Sequence, residues 1–386
     1  TRSILSSSLL HWINCRNSIT NRCVLHTVRD YSQPSGSTDV KEKQLIHVGH
    51  ARRTIRDHAK LTFLKEELPY EQSHEVFWTI LYQRPNLRSA IVAQCKETFD
   101  RERGEQYAWY WKNISTANAS IADVPRDIPM VTGDPLDASI VSGGPFLSFS
   151  KEMRKLIFVN SKSLVDEMSA DIETRAKGPE GVRLALDAEW TPYEMYPPAS
   201  ILQISLDDVS YIVDLDFLAD FIIQPFIDML FSHPKILKLG FVFNEDMVAL
   251  RMVKSLRGCA SLYNPKNLPC ILKLITALRD ESEKRRRDGS AILAEIGVIR
   301  ITPGRSPSLS FLCESLLGLP LDKREQRSAW TRRPLRSLQL RYAAMDAYCL
   351  LLLHSRCKEW AEKLGVSMEE MMEKAKWEER KKRETS

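Results

Sequence analysis

Two carboxylates end an apolar segment in the middle of the chain. Asp187 and Glu189 are two residues apart in Leu184-Ala-Leu-Asp-Ala-Glu, a pattern typical of the end of a β-strand. Side chains on a strand alternate between its two faces, so both acids point the same way. The two carboxylates repel each other unless a cation neutralises their charge. Hard divalent cations prefer carboxylate oxygen as a ligand. The pair predicts a metal site, although a solvated strand end would also explain so short a motif.

A third acid lies where another apolar segment runs into a helix. Asp246 follows Leu237-Lys-Leu-Gly-Phe-Val-Phe, and Asn244 is predicted to cap the helix that begins there. The attraction of a carboxylate to the amino-terminal end of a helix would by itself explain this acid. Its place at a strand end nevertheless matches that of the first pair.

A fourth acid lies in a strongly helical segment together with a tyrosine. Tyr342 and Asp346 are four residues apart in Leu340-Arg-Tyr-Ala-Ala-Met-Asp-Ala. Residues four apart share one face of a helix, so the phenol and the carboxylate are presented together. The alanines around Asp346 predict that this face packs closely against another element.

Taken together, the four acids predict one site that binds two divalent metal ions, Mg²⁺ or Mn²⁺. Two such ions can activate a water molecule and stabilise the leaving oxygen of a phosphodiester. The hydroxyl of the tyrosine would position the attacking water or help to deprotonate it. The predicted metal ligands are Asp187, Glu189, Asp246 and Asp346, and Tyr342 completes the predicted catalytic set.

The elements that must position these residues indicate a mixed α/β sheet with helices packed on it. Strands are predicted at Leu156–Val159, Val182–Trp190, Ile201–Leu206, Ser210–Val213 and Lys235–Phe243. The predicted organisation is a disordered or targeting arm (1–40), a helical region (41–114), a linker (115–145), a catalytic α/β domain (146–362) and a charged carboxy-terminal helix or tail (363–386). Helices alternate with the later strands, as expected for such a domain.

The three acidic segments resemble the motifs of the DEDD 3′–5′ exonuclease superfamily, which has a ribonuclease-H-like fold. Asp187 and Glu189 match its first motif, Asp246 its second and Asp346 its third. A tyrosine four residues before the last acid is typical of the branch that includes ribonuclease D and the Werner exonuclease domain, and Tyr342 has that position.

The segment before the third motif resembles the Nibbler group of exonucleases, which trim the 3′ ends of small RNAs. It reads Leu317-Gly-Leu-Pro-Leu-Asp-Lys-Arg-Glu-Gln-Arg-Ser-Ala-Trp-Thr-Arg-Arg-Pro-Leu. The resemblance covers Phe146 to Glu362. Within it, Leu256–Pro307 is longer than in the group and carries the basic run Lys284-Arg-Arg-Arg.

The segment Asp322–Arg341 carries seven basic side chains against two acids, whereas the whole chain has a net charge of +5. Lys and Arg next to a nuclease site can neutralise backbone phosphates without reading sequence. A solvated charged loop is the alternative. The predicted nucleic-acid contacts are Lys323, Arg324, Arg327, Arg332, Arg333 and Arg336.

Composition narrows the class of protein further. With 43% hydrophobic and 27% charged residues, the chain reads as ordinary globular protein, and it contains no apolar run long enough to span a membrane. Its eight cysteines lack metal-site or disulfide spacing, which favours packed thiols in an intracellular compartment. Cytoplasm or nucleus is expected, and the acid-free, Arg- and Ser-rich segment Thr1–Arg29 leaves a mitochondrial transit peptide open.

The sequence thus predicts a metal-dependent 3′–5′ exonuclease. Its expected partner is a nucleic acid with a free 3′ end, either RNA or single-stranded DNA, and its expected product is a nucleoside monophosphate. The alternative is a catalytically silent nucleic-acid-binding or scaffold module on the same fold. Such a module would be expected to lack one of the acids, and all four are present.

Overall fold

The computed structural model describes residues 47–68, 70–98, 100–113, 133–141, 143–191, 197–287 and 307–378. All described residues belong to one compact unit. The predicted arm over 1–40 lies outside the described residues, as do 114–132 of the predicted linker, 288–306 of the long insertion and the tail from 379 onward.

A five-stranded mixed sheet forms the centre of the catalytic region, which confirms the predicted fold class. Its strands are β1 (Lys155–Val159), β2 (Val182–Glu189), β3 (Ile201–Ser205), β4 (Val209–Asp214) and β5 (Ile236–Leu239). Their order across the sheet is β1-β4-β3-β2-β5. The β2-β3-β4 meander is antiparallel, and β1 and β5 join its two edges in parallel.

The last strand is shorter than the predicted segment Lys235–Phe243. Gly240 forms only an isolated bridge to Cys270, and Val242 has a positive φ of 51°, which no regular strand contains. The chain therefore leaves the sheet after Leu239 and turns into the next helix.

Eleven α-helices lie within the described part of the chain. Four precede the sheet: α1 (Val48–Ala59), α2 (Tyr70–Gln83), α3 (Arg88–Thr98) and α4 (Arg101–Asn113). The others are α5 (Lys162–Ala176), α6 (Asp220–Ser232), α7 (Asn244–Met252), α8 (Ile271–Arg287), α9 (Leu309–Leu317), α10 (Ser337–Leu364) and α11 (Met368–Lys374). The mostly helical region ahead of the sheet is thereby confirmed.

Alternation along β2 separates the two layers of the core. Leu184 and Leu186 pack with α5 and α6 on one face of the sheet. Ala185 packs on the opposite face, in one cluster with residues of α8, α9 and α10. Because Asp187 and Glu189 are an even number of residues from Ala185, they face α10.

The amino-terminal helices build a core of their own around Phe77 and Trp111. Trp111 is fully buried in this core, whereas Trp109, on the same helix, is 66% exposed. This helical layer also contacts the segment before α10, because the buried Glu75 of α2 pairs with Arg332 and Arg336.

The predicted charged helix or tail over 363–386 contains a short helix that packs against the domain. The helix ends at Lys374, and Met371 and Ala375 are buried. The backbone then continues along the domain, where the amide of Trp377 donates to the carbonyl of Leu268 at 2.9 Å. Apolar residues at three- and four-residue spacing therefore dock this segment, and its charges lie on the outer side.

The described cysteines are free and buried, as the spacing predicts: Cys95, Cys259, Cys270, Cys313, Cys349 and Cys357. Cys15 and Cys23 lie outside the described residues. None of the helices in the described ranges combines the length and apolar character that crossing a membrane requires.

We expect Glu75→Ala to lower the free energy of unfolding by about 3–5 kcal/mol, because it leaves the largely buried guanidinium group of Arg332 without a counter-charge and removes one of the two acids that pair with Arg336. The matched control is Glu67→Ala, which removes a solvent-exposed pair with Lys65 and should cost less than about 1 kcal/mol. Urea unfolding followed by circular dichroism measures both. If both variants lost the same free energy of unfolding, Glu75 would not be what attaches the helical layer to the segment before α10.

Candidate active site

Three of the predicted ligands meet between β2 and α10. Asp187, Glu189 and Asp346 each present a carboxylate oxygen within 4.8 Å of those of the other two. Glu189 is 9% and Asp346 4% exposed, and Asp187 is half-buried, so the group lies largely beneath the surface. Two residues on one strand face and one residue on a facing helix are thus sufficient to concentrate three acids.

Small side chains on α10 allow this close approach. Ala343, Ala344 and Ala347 are fully buried, and the carbonyl of Ala344 accepts a hydrogen bond from the hydroxyl of Ser205 on β3 at 3.3 Å. The helix therefore lies directly on the sheet, and Asp346 reaches the end of β2. This confirms the prediction of a packed face around the acid.

Asp246 reaches the same strand by a different contact. Its Oδ1 atom accepts a hydrogen bond at 3.2 Å from the backbone amide of Ala188, the residue between the two acids of β2. Since β5 pairs with β2 only as far as Ala185, this amide has no strand partner on that side. Asp246 is buried but does not belong to the group of three within 4.8 Å.

The local structure before Asp246 also differs from the prediction. Phe243, not Asn244, is the residue that caps α7, and no side chain caps the helix there. Asn244 is its first helical residue, which places Asp246 in the first turn as expected. Burial and the contact with β2 therefore position this acid, in addition to the helix end.

The acids strongly affect one another's ionisation. Burial and then the charges of Asp246 and Asp346 raise the pKa of Asp187 well above its usual range. Burial and then Asp187 and Asp346 do the same to the pKa of Glu189. Burial raises the pKa of Asp246 to about 7, against the opposing effect of its backbone hydrogen bonds. The site therefore holds more negative charge than its surroundings can solvate.

Tyr342 lies one turn before Asp346 on α10 and is 5% exposed. Its ring contacts the ring of the buried Trp330 at 5.9 Å between centroids. Burial, followed by the charges of Asp346 and Glu189, raises the pKa of its hydroxyl well above the usual value. The phenol therefore keeps its proton at neutral pH.

A lysine enters the acidic group from the segment before α10. The Nζ atom of Lys323 donates to Oδ2 of Asp346 at 2.7 Å and lies 5.3 Å from the ring centroid of Tyr342. Burial alone would lower the pKa of Lys323, but the charges of Asp346 and Asp187 raise it above the usual value. The side chain predicted to contact phosphate thus contacts a carboxylate in this structure.

The arginines nearest α10 have protein partners. Arg333 binds both carboxylate oxygens of Asp214, at 2.7 and 2.8 Å, and Arg336 binds those of Glu325 at 2.6 and 2.7 Å. Arg332 pairs with the buried Glu75. The exposed fractions of the three arginine side chains are only 14%, 5% and 11%, in the order given.

The prediction of phosphate contacts at Arg332, Arg333 and Arg336 is therefore corrected. These guanidinium groups neutralise buried acids and hold the segment in place. Arg324 pairs with Asp322, and Arg327 pairs with Asp57 while remaining 53% exposed. Since both are accessible at least in part, they remain predicted phosphate contacts.

Two residues in contact with the site were not selected from the sequence. Gln203 lies opposite Asp187 in the β2–β3 register, and both polar atoms of its fully buried amide lack a hydrogen-bond partner. A lone amide in the apolar strand Ile-Leu-Gln-Ile-Ser was the available signal. Trp330, which packs on Tyr342, carried no such signal, because tryptophan is an ordinary core residue.

These residues form one candidate site between β2 and α10. The chain belongs to the 3′-5′ exonuclease family, whose model matches residues 158–359. This assignment confirms the resemblance inferred from the acidic motifs, and a tyrosine at position 342 is consistent with the tyrosine branch.

Curated relatives give the same assignment. The chain is 27% identical to exonuclease mut-7 of Caenorhabditis elegans over 54% of this chain and 22% of that protein. It is 31% identical to the human exonuclease mut-7 homolog, over 46% and 20% of the respective chains. Ribonuclease D of Haemophilus influenzae is 27% identical over 54% and 46%. The chain thus spans only about a fifth of the length of the mut-7 relatives.

Among solved structures, the Nibbler EXO domain of Aedes aegypti is similar over 60% of this chain and 98% of that domain, with 23% identity and a TM-score of 0.47. Ribonuclease D of Trypanosoma brucei in complex with GMP matches over 57% and 61%, with 18% identity and a TM-score of 0.43.

The residues present fit a hard divalent cation. The ligands offered are carboxylate oxygens, which Mg²⁺ and Mn²⁺ prefer. Oδ1 of Asp346 is buried and has no hydrogen-bond partner, so one oxygen of this carboxylate is available for a ligand. The raised pKa values of Asp187 and Glu189 indicate that the site lacks the positive charge that would stabilise their ionised carboxylates.

We expect the protein without metal to lose stability as pH rises, with Asp246 contributing. Its pKa is about 7 in the folded protein and near 4 when unfolded, so the folded state holds a proton that the unfolded state has released between these values. In chelator, Asp246→Asn should therefore be more stable than the wild type at pH 8, by up to about 4 kcal/mol. The difference should shrink towards pH 4.5. Denaturant unfolding at both pH values measures it, and a difference independent of pH would contradict the prediction.

Proposed function

We propose that the protein is a metal-dependent exonuclease that hydrolyses phosphodiester bonds at the 3′ end of RNA or single-stranded DNA and releases nucleoside monophosphates. The observation that carries this proposal is the buried group of Asp187, Glu189 and Asp346, whose carboxylates converge within 4.8 Å beside Tyr342. Membership of the 3′-5′ exonuclease family supports the direction of hydrolysis.

Asp187, Glu189 and Asp346 would hold one divalent cation, and Asp246, whose charge acts on Asp187, would help to hold a second. When bound, two such cations supply an activated water and stabilise negative charge on the scissile phosphate and the leaving oxygen. The protein supplies the oxygen ligands on a rigid strand and a closely packed helix. The backbone contact of Asp246 fixes its carboxylate with respect to β2.

Tyr342 would position the attacking water as a neutral hydroxyl. Because its pKa is raised, the phenol holds its proton and can donate a hydrogen bond, while its oxygen accepts one from water. Positioning is therefore favoured over proton abstraction by the tyrosine. The ring packing against Trp330 limits where the hydroxyl can point.

Arg324 and Arg327 would contact the phosphates upstream of the scissile bond. Such contacts are independent of base sequence, so they set affinity and salt dependence. The relatives named ribonuclease D make RNA the first substrate to examine. Parallel digestion of matched RNA and DNA strands distinguishes the two substrates.

A strand labelled at its 5′ end should be shortened stepwise by the wild type in Mg²⁺ or Mn²⁺, and should remain intact in chelator. Asp187→Ala combined with Glu189→Ala should abolish the ladder, because it removes two of the three converging carboxylates. The matched control, Asp166→Ala with Glu167→Ala, removes two exposed acids of α5 and should cleave normally. An unchanged ladder from the Asp187/Glu189 variant would refute the proposed site, and metal-independent binding without product would favour the silent module.

Tyr342→Phe should lower kcat by about 10²–10⁴-fold and leave KM nearly unchanged, because it removes a hydroxyl that acts on the water and not on the strand. Tyr348→Phe is the control: this tyrosine is buried on the same helix but bonds to Ser150, at 2.6 Å. Single-turnover digestion measures both. A rise in KM at constant kcat would assign Tyr342 to substrate binding instead.

A further inference from the structure

Lys323 is a charged residue inside the acidic group, and it belongs to none of the three acidic motifs. Its Nζ atom lies 2.7 Å from Oδ2 of Asp346, and its side chain is 28% exposed. The other oxygen of the same carboxylate has no partner. One oxygen of Asp346 is therefore bound by an internal cation, while the other faces the site.

The charges around Lys323 explain why it lies there. Asp187 is half-buried and Glu189 is buried, and the positive charge of Lys323 opposes the rise in the pKa of each carboxylate. The contact with the ring of Tyr342 is also favourable for an ammonium group. Lys323 thus partly neutralises the same negative charge that a divalent cation would neutralise.

The residues next to Lys323 are held away from the acids. Arg324 turns to Asp322, with Nε 2.8 Å from its Oδ1 and Nη2 2.7 Å from its Oδ2. Glu325 is bound to Arg336. One ion pair therefore joins the two neighbours of Lys323, and a second fixes the segment two residues further on.

We propose that Lys323 is the internal counter-ion of the acidic site, and that it weakens the binding of divalent cations because it competes with them for the negative charge of Asp346. The inference rests on the proposed function only in taking these acids as the metal ligands. It implies that Lys323 sets the concentration of cation at which the enzyme becomes loaded, because the ammonium group and the metal compete for the same negative charge.

The test is a titration of the metal-free protein with Mn²⁺, followed by isothermal calorimetry. Lys323→Met keeps much of the side-chain length without the charge, and it should bind Mn²⁺ at least about tenfold more tightly than the wild type, a coupling of ordinary size. Lys323→Arg keeps a cation and should stay within about threefold of the wild type. Arg324→Met removes the neighbouring charge, which is paired elsewhere, and is the matched control, with an expected change below about threefold.

A second measurement, the melting temperature, shows whether each variant is folded. In chelator, Lys323→Met should melt at a lower temperature than the wild type. Saturating Mn²⁺ should raise the melting temperature of Lys323→Met by more than it raises that of the wild type. If the methionine variant does not fold, Lys323→Gln takes its place in both measurements. Equal or weaker Mn²⁺ binding by the folded neutral variant would overturn the proposal, as would a wild type that binds no Mn²⁺.

Failure of the counter-ion proposal can be distinguished from failure of the proposed function. A wild type that binds Mn²⁺ but shortens neither RNA nor DNA would refute the exonuclease, while the comparison of Lys323→Met with the wild type would still decide the role of Lys323. Conversely, cleavage by the wild type together with unchanged Mn²⁺ affinity in Lys323→Met would refute only the counter-ion.

Discussion

Repulsion between buried carboxylates is the constraint on which the structure around the site depends. Asp187, Glu189 and Asp346 converge within 4.8 Å, where water can do little to screen their charges. The arrangement persists because packing imposes it: α10 is held on the sheet by fully buried alanines, and β2 is paired with a strand on each side. The fold thus maintains a concentration of negative charge that becomes favourable when cations bind.

The segment between α9 and α10 stabilises this arrangement through charge placed inside the protein. Its net positive charge, read from the sequence, resembles a surface for phosphate, but most of its arginines pair with buried or nearly buried acids of the helical layer and the sheet. Guanidinium groups suit this role because their planar donors match a carboxylate at two points. The same segment delivers Lys323 and Trp330 to the site.

The site could be predicted from the sequence where its geometry is local. Two acids two apart on a strand, and a tyrosine and an acid four apart on a helix, must share a face whatever surrounds them. The partners of the arginines could not be predicted, because Glu75 and Arg332 are 257 residues apart in sequence and nothing local indicates their contact. The end of β5 was also missed, since apolar residues continue past Leu239 although the backbone has left the sheet.

The helical layer is consequently part of the support of the catalytic helix. Arg336 immediately precedes α10, and its guanidinium group bridges Glu75 of α2 and Glu325 of the preceding segment. Gln72 of the same helix α2 donates to the backbone carbonyl of Arg324, at 2.6 Å, one residue after Lys323. Both the start of α10 and the segment that carries Lys323 therefore contact α2 through side chains. Because Tyr342 and Asp346 lie within the first three turns of α10, a displacement of the helical layer would be transmitted to the groups that position water and metal.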